Sequence, residues 1–186
     1  MPAAVAPILI ALASFVLRLV NLGSTKGFIF DEVYYVDGAR DLLKYGVEVS
    51  GSNPEFIVHP PVGKWLIAGG IAIFGDNEFG WRFATALIGT ILILVFARLV
   101  HVLFYSPLLT ALGAALMAFD GLLLVHSRTA LLDLFLTFFV VLGVLLWHRD
   151  RHWWAGLAFG LALGCKWSAI YFIVVIALVS LYRILV

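Results

Sequence analysis

The sequence predicts an all-α polytopic membrane helix bundle. Two observations carry this. Of 186 residues, 63% are hydrophobic and only 12% are charged, and the mean hydropathy is +1.08. Soluble domains carry about 25% charged residues, so this chain cannot cover a globule with polar surface and lipid must solvate much of it. The apolar residues also fall in runs near the roughly 20 residues that a helix needs to cross hydrocarbon. About six transmembrane helices result, with interfacial helices in a long polar first loop.

Ala3 to Leu22 is the first span, with Arg18 near its end. Within the loop from Gly23 to Pro61, Asp31 to Tyr45 reads as an amphipathic helix. Val36, Ala39, Leu42 and Leu43 share one side at helical spacing, and Gly46 ends it. Val62 to Phe74 is apolar but short for a span. It reads as an interfacial or re-entrant helix, started by Pro60-Pro61 and ended at Gly75. Gly80 to Phe104, Leu108 to His126 and Ala130 to Trp147 are the second, third and fourth spans. Trp153 to Val186 would make a helix about 50 Å long, so Gly164-Cys165-Lys166 is the expected break between a fifth and a sixth. The chain has no Lys or Arg before its first apolar run, which argues against a cleaved signal. It stops inside an apolar segment at Ile184-Leu185-Val186, so residues 1–186 read as the N-terminal part of a longer membrane protein. The single Cys165 excludes an internal disulfide and a cysteine metal cluster. There is no metal-ligand set and no basic run that would suit nucleic acid.

With the N-terminus in the cytoplasm, Arg98, Arg149, Arg151 and Arg183 fall on the cytoplasmic side, as the positive-inside rule prefers. Arg128 and Lys166 then lie in outer turns, against the rule, and need another reason. The same threading brings Arg18, Asp31, Glu32, His59, Arg82, Asp120, Arg128, Asp133 and Lys166 to the outer face. Ionisable groups at membrane depth are costly and usually face the bundle interior or a wet cavity. Arg and Lys suit a phosphate, and a carboxylate suits a general base toward an acceptor hydroxyl. Together they suggest transfer of a group from a lipid-linked phosphate donor.

Plainer readings stand beside each of these. Arg18, Arg82 and Arg128 can snorkel to the interface. Asp133 can pair with Arg128. Asp120 can satisfy a neighbouring helix instead of a ligand. Asp31-Glu32 can be a solvated helix start, and His59 a turn residue. Trp65, Trp81, Trp147, Trp153 and Trp154 fit interfacial belts, and Arg149-Asp150-Arg151 fits a cytoplasmic anchor.

Five motifs in order carry a resemblance over nearly the whole chain. They are Phe30-Asp31-Glu32-Val33-Tyr34-Tyr35, His59-Pro60-Pro61-Val62-Gly63-Lys64-Trp65, Phe79-Gly80-Trp81-Arg82-Phe83, Ser127-Arg128-Thr129-Ala130-Leu131-Leu132-Asp133 and Gly164-Cys165-Lys166-Trp167-Ser168. The chain resembles the protein O-mannosyltransferases, in wording closest to the actinobacterial branch. The resemblance implies the GT-C class of membrane glycosyltransferase in the plasma membrane, with its active site on the extracytoplasmic face. The donor is a polyprenyl-phosphate-mannose, the acceptor a Ser or Thr of a secreted protein, and the anomeric centre is inverted. Asp31 then matches the catalytic base and Glu32 its supporting neighbour. Arg82 matches a basic residue near the donor phosphate, Arg18 an arginine ending the first span, and His59 a residue shaping the outer loop. A phosphate role for Arg128 and Lys166 follows from their charge and side. No cofactor or metal is implied. A same-class rival moves another lipid-linked sugar, such as aminoarabinose, onto a glycolipid. A rival of another class is a transporter or structural membrane subunit, which predicts charge spread through the bilayer depth.

Overall fold

The computed structural model describes residues 4–51, 53–54 and 58–186. It is helical apart from one short hairpin. Helix α1 (Val5–Leu19) holds Arg18 in its last turn. Helix α2 (Glu32–Tyr45) ends where expected, because Gly46 takes a left-handed φ of 74° and returns its N–H to the Leu42 carbonyl. Val36 and Ala39 are fully buried, whereas Leu43 is half-exposed. The amphipathic reading therefore holds best for the inner two of its four residues. An antiparallel hairpin of β1 (Val49–Ser50) and β2 (Asn53–Pro54) follows, which the sequence reading did not contain.

Helix α3 (Val62–Phe74) covers the expected residues. Helix α4 (Glu78–Phe104) starts at Asn77, whose side chain accepts the N–H groups of Phe79 and Gly80. Among the described residues α4 alone has both the length and the apolarity to cross a membrane unaided. The other apolar helices, Val5–Leu19, Val62–Phe74, Pro107–Phe119, Leu132–His148 and Ala169–Leu185, are shorter.

The expected third span is corrected. It divides into α5 (Pro107–Phe119) and α6 (Gly121–His126) because Asp120 leaves the helical region at ψ 121° and caps the second piece, accepting Leu123 N–H at 2.6 Å. The remaining helices are α7 (Leu132–His148), α8 (His152–Cys165) and α9 (Ala169–Leu185). The break at Lys166 is where glycine and charge interrupt the apolar run. Trp81 departs from the belt reading. It is buried, stacks on Phe28 with ring centroids 5.0 Å apart, and donates its indole N–H to Asp76 at 2.6 Å. Trp65, Trp153 and Trp154 are exposed, as a belt requires.

Helix α4 is central, with α1, α3, α5 and α7 packed on it, α8 paired with α7, and α2 laid on α3. The main apolar core joins α2, α3, α4, α7 and α8 through Val36, Ile67, Trp81, Phe135 and Ala162. One end of the bundle thus collects the C-terminus of α1, the N-termini of α4 and α7, and the C-terminus of α8. Helices α3 and α4 meet backbone to backbone. A Cβ on Gly70 would lie 2.3 Å from the Gly80 carbonyl oxygen.

Gly70→Ala is therefore expected to cost about 1–3 kcal/mol through overpacking. Gly69→Ala, one residue away with nothing within 4 Å, is expected to be neutral or mildly stabilising. Thermal unfolding of both variants in detergent checks the pair, and equal melting temperatures would contradict the close approach.

Candidate active site

Glu32 is fully buried and its carboxylate is saturated. Oε1 accepts Arg82 Nε at 2.8 Å and the Ala130 N–H at 2.7 Å. Oε2 accepts Arg82 Nη2 at 2.7 Å and the Ile29 N–H at 2.8 Å. Arg82, 1% exposed, is equally full. Beyond Glu32 it donates to the carbonyls of Leu22, Thr25 and Gly27. Five hydrogen bonds occupy the planar fork, the geometry that an arginine offers a carboxylate and a lysine does not. The expected contact of Arg82 with a donor phosphate thus meets a guanidinium already committed within the protein. Glu32 likewise stands as a structural tie, with no lone pair turned to a substrate.

Its neighbour Asp31 is in the opposite situation. It lines a cavity of about 580 Å³ together with Tyr35, Glu48, His59 and Lys64. Although it precedes α2, its side chain makes no capping bond. Its one partner among the described residues is the Tyr35 hydroxyl, which donates to Oδ2 at 3.3 Å. Burial, and then the Asp31 charge, push the Tyr35 phenol above its ordinary range, so it stays protonated and keeps donating. The other carboxylates around the cavity are engaged: Asp37 with Arg40, Asp41 with the Val49 N–H, and Glu48 with Lys64.

The remaining expected residues reach the same end of the bundle by different routes. Lys166 pairs with Asp133 at 2.8 Å, so the expected Arg128–Asp133 pair does not form. Arg128 instead donates Nη1 to the carbonyls of Leu17 and Arg18 at 2.8 and 3.0 Å, where α1 leaves acceptors unsatisfied. Arg18 is fully buried. Its Nη1 bonds to Ser14, while Nε and Nη2 find no partner among the described residues. Asp120 lies apart as the α6 cap. The α8–α9 junction touches the first loop, because the Trp167 indole donates to the Val58 carbonyl at 2.9 Å.

His59 sits among these charges. Burial first, then Lys166 and Lys64, hold its imidazole below the ordinary value of 6.5, with Asp133 and Asp31 opposing. Lys64 and Glu48 are cavity residues that sequence reasoning did not single out. Lys64 carried a signal, a lone cation inside the apolar α3. Glu48, in a polar loop, carried none. Among the described residues no group of His, Cys, Asp and Glu is arranged to hold a metal.

Residues 58–185 match the family described as dolichyl-phosphate-mannose-protein mannosyltransferase. The chain belongs to this family. It is 42% identical to a polyprenol-phosphate-mannose–protein mannosyltransferase of Mycobacterium tuberculosis over 89% of its length and 38% of the relative's. Proteins of the same name in Mycolicibacterium smegmatis and Corynebacterium glutamicum are 36% and 32% identical, over 96% and 94% of this chain and 41% of each relative. The chain therefore spans about two fifths of the length of these curated relatives. No solved structure matches it.

Two expectations follow from the geometry. Glu32→Gln leaves Arg82 charged and buried without its counter-ion. Breaking such a pair costs about 3–5 kcal/mol, to be read as a fall in melting temperature and faster proteolysis between Gly23 and Phe30. A variant as stable as the wild type would remove the pair from its proposed structural role. For His59, removal of a nearby cation by Lys166→Ala should raise its pKa, as an NMR titration would report. Because the folded pKa lies below the unfolded one, the unfolded chain binds the proton first. This group's contribution to stability is then complete above about pH 6.5 and is lost as the pH falls below it.

Proposed function

We propose that the protein transfers mannose from a polyprenyl-phosphate-mannose to Ser or Thr hydroxyls of secreted proteins, with Asp31 as the general base. One observation carries the assignment. Of the carboxylates lining the cavity, Asp31 alone is held by neither a cation nor a backbone N–H among the described residues. A base needs a free lone pair within reach of the proton it takes. Membership of the mannosyltransferase family supplies the reaction class.

In the proposed reaction an Asp31 oxygen accepts the proton of the acceptor hydroxyl as its oxygen bonds to C1 of mannose. The C1–O bond to phosphate breaks, and the electron pair leaves with the polyprenyl phosphate. A single in-line displacement inverts the anomeric centre. Phosphate leaves without protonation, so one carboxylate suffices, unlike the pair in inverting glycosidases. Charge growing on the leaving phosphate would be offset by Arg128 and Lys166. Arg18 would add positive potential from below. In this reading Arg82 and Glu32 hold the loop and the start of α2, and His59 shapes the loop. The bundle would be of the GT-C type, multi-pass in the plasma membrane, with this end extracytoplasmic. The convergence of helix ends that carry the ionisable residues supports that arrangement better than a transporter path through the bilayer depth.

A second reading concerns the sugar. An undecaprenyl phosphate-α-4-amino-4-deoxy-L-arabinose arabinosyl transferase of Pseudomonas aeruginosa is 34% identical over 75% of the chain. The same base could serve that donor, and a comparison of the two donors in one assay separates the readings.

Asp31→Asn should leave the fold and donor binding in place and lower mannose transfer to a Ser/Thr peptide by about 10²–10⁴-fold. The measurement is transfer by the membrane-embedded protein, alongside binding of the donor lipid. Near-normal transfer by this variant would sink Asp31 as the base.

A further inference from the structure

The end of the bundle away from Asp31 carries two cavities and a cluster of basic side chains. Arg82 and Arg98 both lie on α4, separated by about 24 Å of helix rise. Around Arg98 two cavities adjoin, because Arg98 and His101 line both. The first, of about 440 Å³, runs between α1, α4 and α5 and is walled by Pro7, Ile8, Leu94 and Ala97. The second, of about 320 Å³, is lined by Tyr105, His148 and Arg149 besides the shared pair. An apolar slot thus opens into a pocket walled by two arginines and two histidines.

Among the described residues no acid lines either cavity. Among the described residues neither Arg98 nor Arg149 forms a salt bridge. The neighbouring Asp150 has a side chain 90% exposed and lies 3.9 Å from the His152 ring nitrogen. His101 uses Nδ1 on the Thr110 hydroxyl at 3.2 Å, and its other ring nitrogen has no hydrogen-bond partner among the described residues. Such a cluster has a bland job, since α4 and α7 end here and cations favour helix C-termini. That job does not explain the apolar slot joined to it. A phosphate beside an acyl chain matches both halves, and basic pockets between membrane helices take anionic headgroups.

We propose that this end of the bundle binds one anionic glycerophospholipid, with its phosphate against Arg98 and Arg149 and an acyl chain in the slot beside Ile8 and Leu94. The lipid bridges α1, α4 and α7 on the side opposite the sugar-transfer pocket. This site does not depend on the assignment of the reaction.

Native mass spectrometry of the purified chain, offered phosphatidylglycerol or phosphatidylcholine with the same acyl chains, tests it. The expected result is retention of phosphatidylglycerol at least about tenfold above phosphatidylcholine. Arg98→Gln combined with Arg149→Gln should bring the two lipids level, and Ile8→Trp, which fills the slot, should reduce retention with the charges intact. Lys26→Gln, a cation at the other end, should change nothing. Circular dichroism identifies any variant that has lost its fold, and the comparison of the two lipids on the unaltered chain stands without the variants. Equal retention of both lipids, or phosphatidylglycerol kept by the folded double variant, would overturn the proposal. Retention of glycerol phosphate as tight as that of the lipid would overturn it too, because it would leave the slot without a role.

Discussion

A carboxylate and a guanidinium shut away from water hold one end of this molecule together. Glu32 and Arg82 are fifty residues apart in sequence, and every polar atom of their meeting is used. The pair does more than cancel two charges. Arg82 gathers three carbonyls of the loop after α1, and Glu32 gathers the N–H groups of Ile29 and Ala130. Four stretches of chain therefore share one network: the loop, α2, α4 and the approach to α7. Buried polar groups without partners are costly, so these segments either meet in this arrangement or leave orphaned groups behind.

The network also explains why two adjacent acids have different surroundings. Glu32 is fixed by four donors, and that fixes the first turn of α2. Asp31 inherits the position without sharing the bonds. Its side chain lines the cavity with the Tyr35 phenol as its one partner among the described residues. In the proposed reaction, a base positioned by its neighbour's bonds needs little reorganisation when substrate arrives, which is how pre-organised sites lower a barrier.

Much of the architecture was legible because hydrophobic run length and glycine punctuation are local. Gly46 and the Gly164–Lys166 break mark ends that the backbone respects, and Val62 to Phe74 has the same bounds in sequence and structure. The division of α5 from α6 was not legible. The run from Leu108 to His126 reads as continuous, and one aspartate interrupts the helix because its side chain replaces a lost backbone bond. For the site, charge and side could be read, but partner choice could not. Asp133 takes Lys166, not the nearer Arg128, because Arg128 is drawn to the bare carbonyls of α1. Arg82 showed its charge in the sequence and hid its saturation. The buried Lys64 and Glu48 pair joins residues from an apolar helix and a polar loop, and no period links those two.

The saturation of Glu32 and Arg82 reaches into the history open to this sequence. A chain that loses either residue alone passes through a form with a stranded charge in its interior, at a cost comparable to much of a domain's stability of about 5–15 kcal/mol. An apolar pair in the same space is physically attainable, and buried ion pairs have been exchanged for such packing without loss. Single substitutions do not lead there. Codons 32 and 82 are thereby coupled, and a lineage can drift at most surface positions while these two change together or stay as they are.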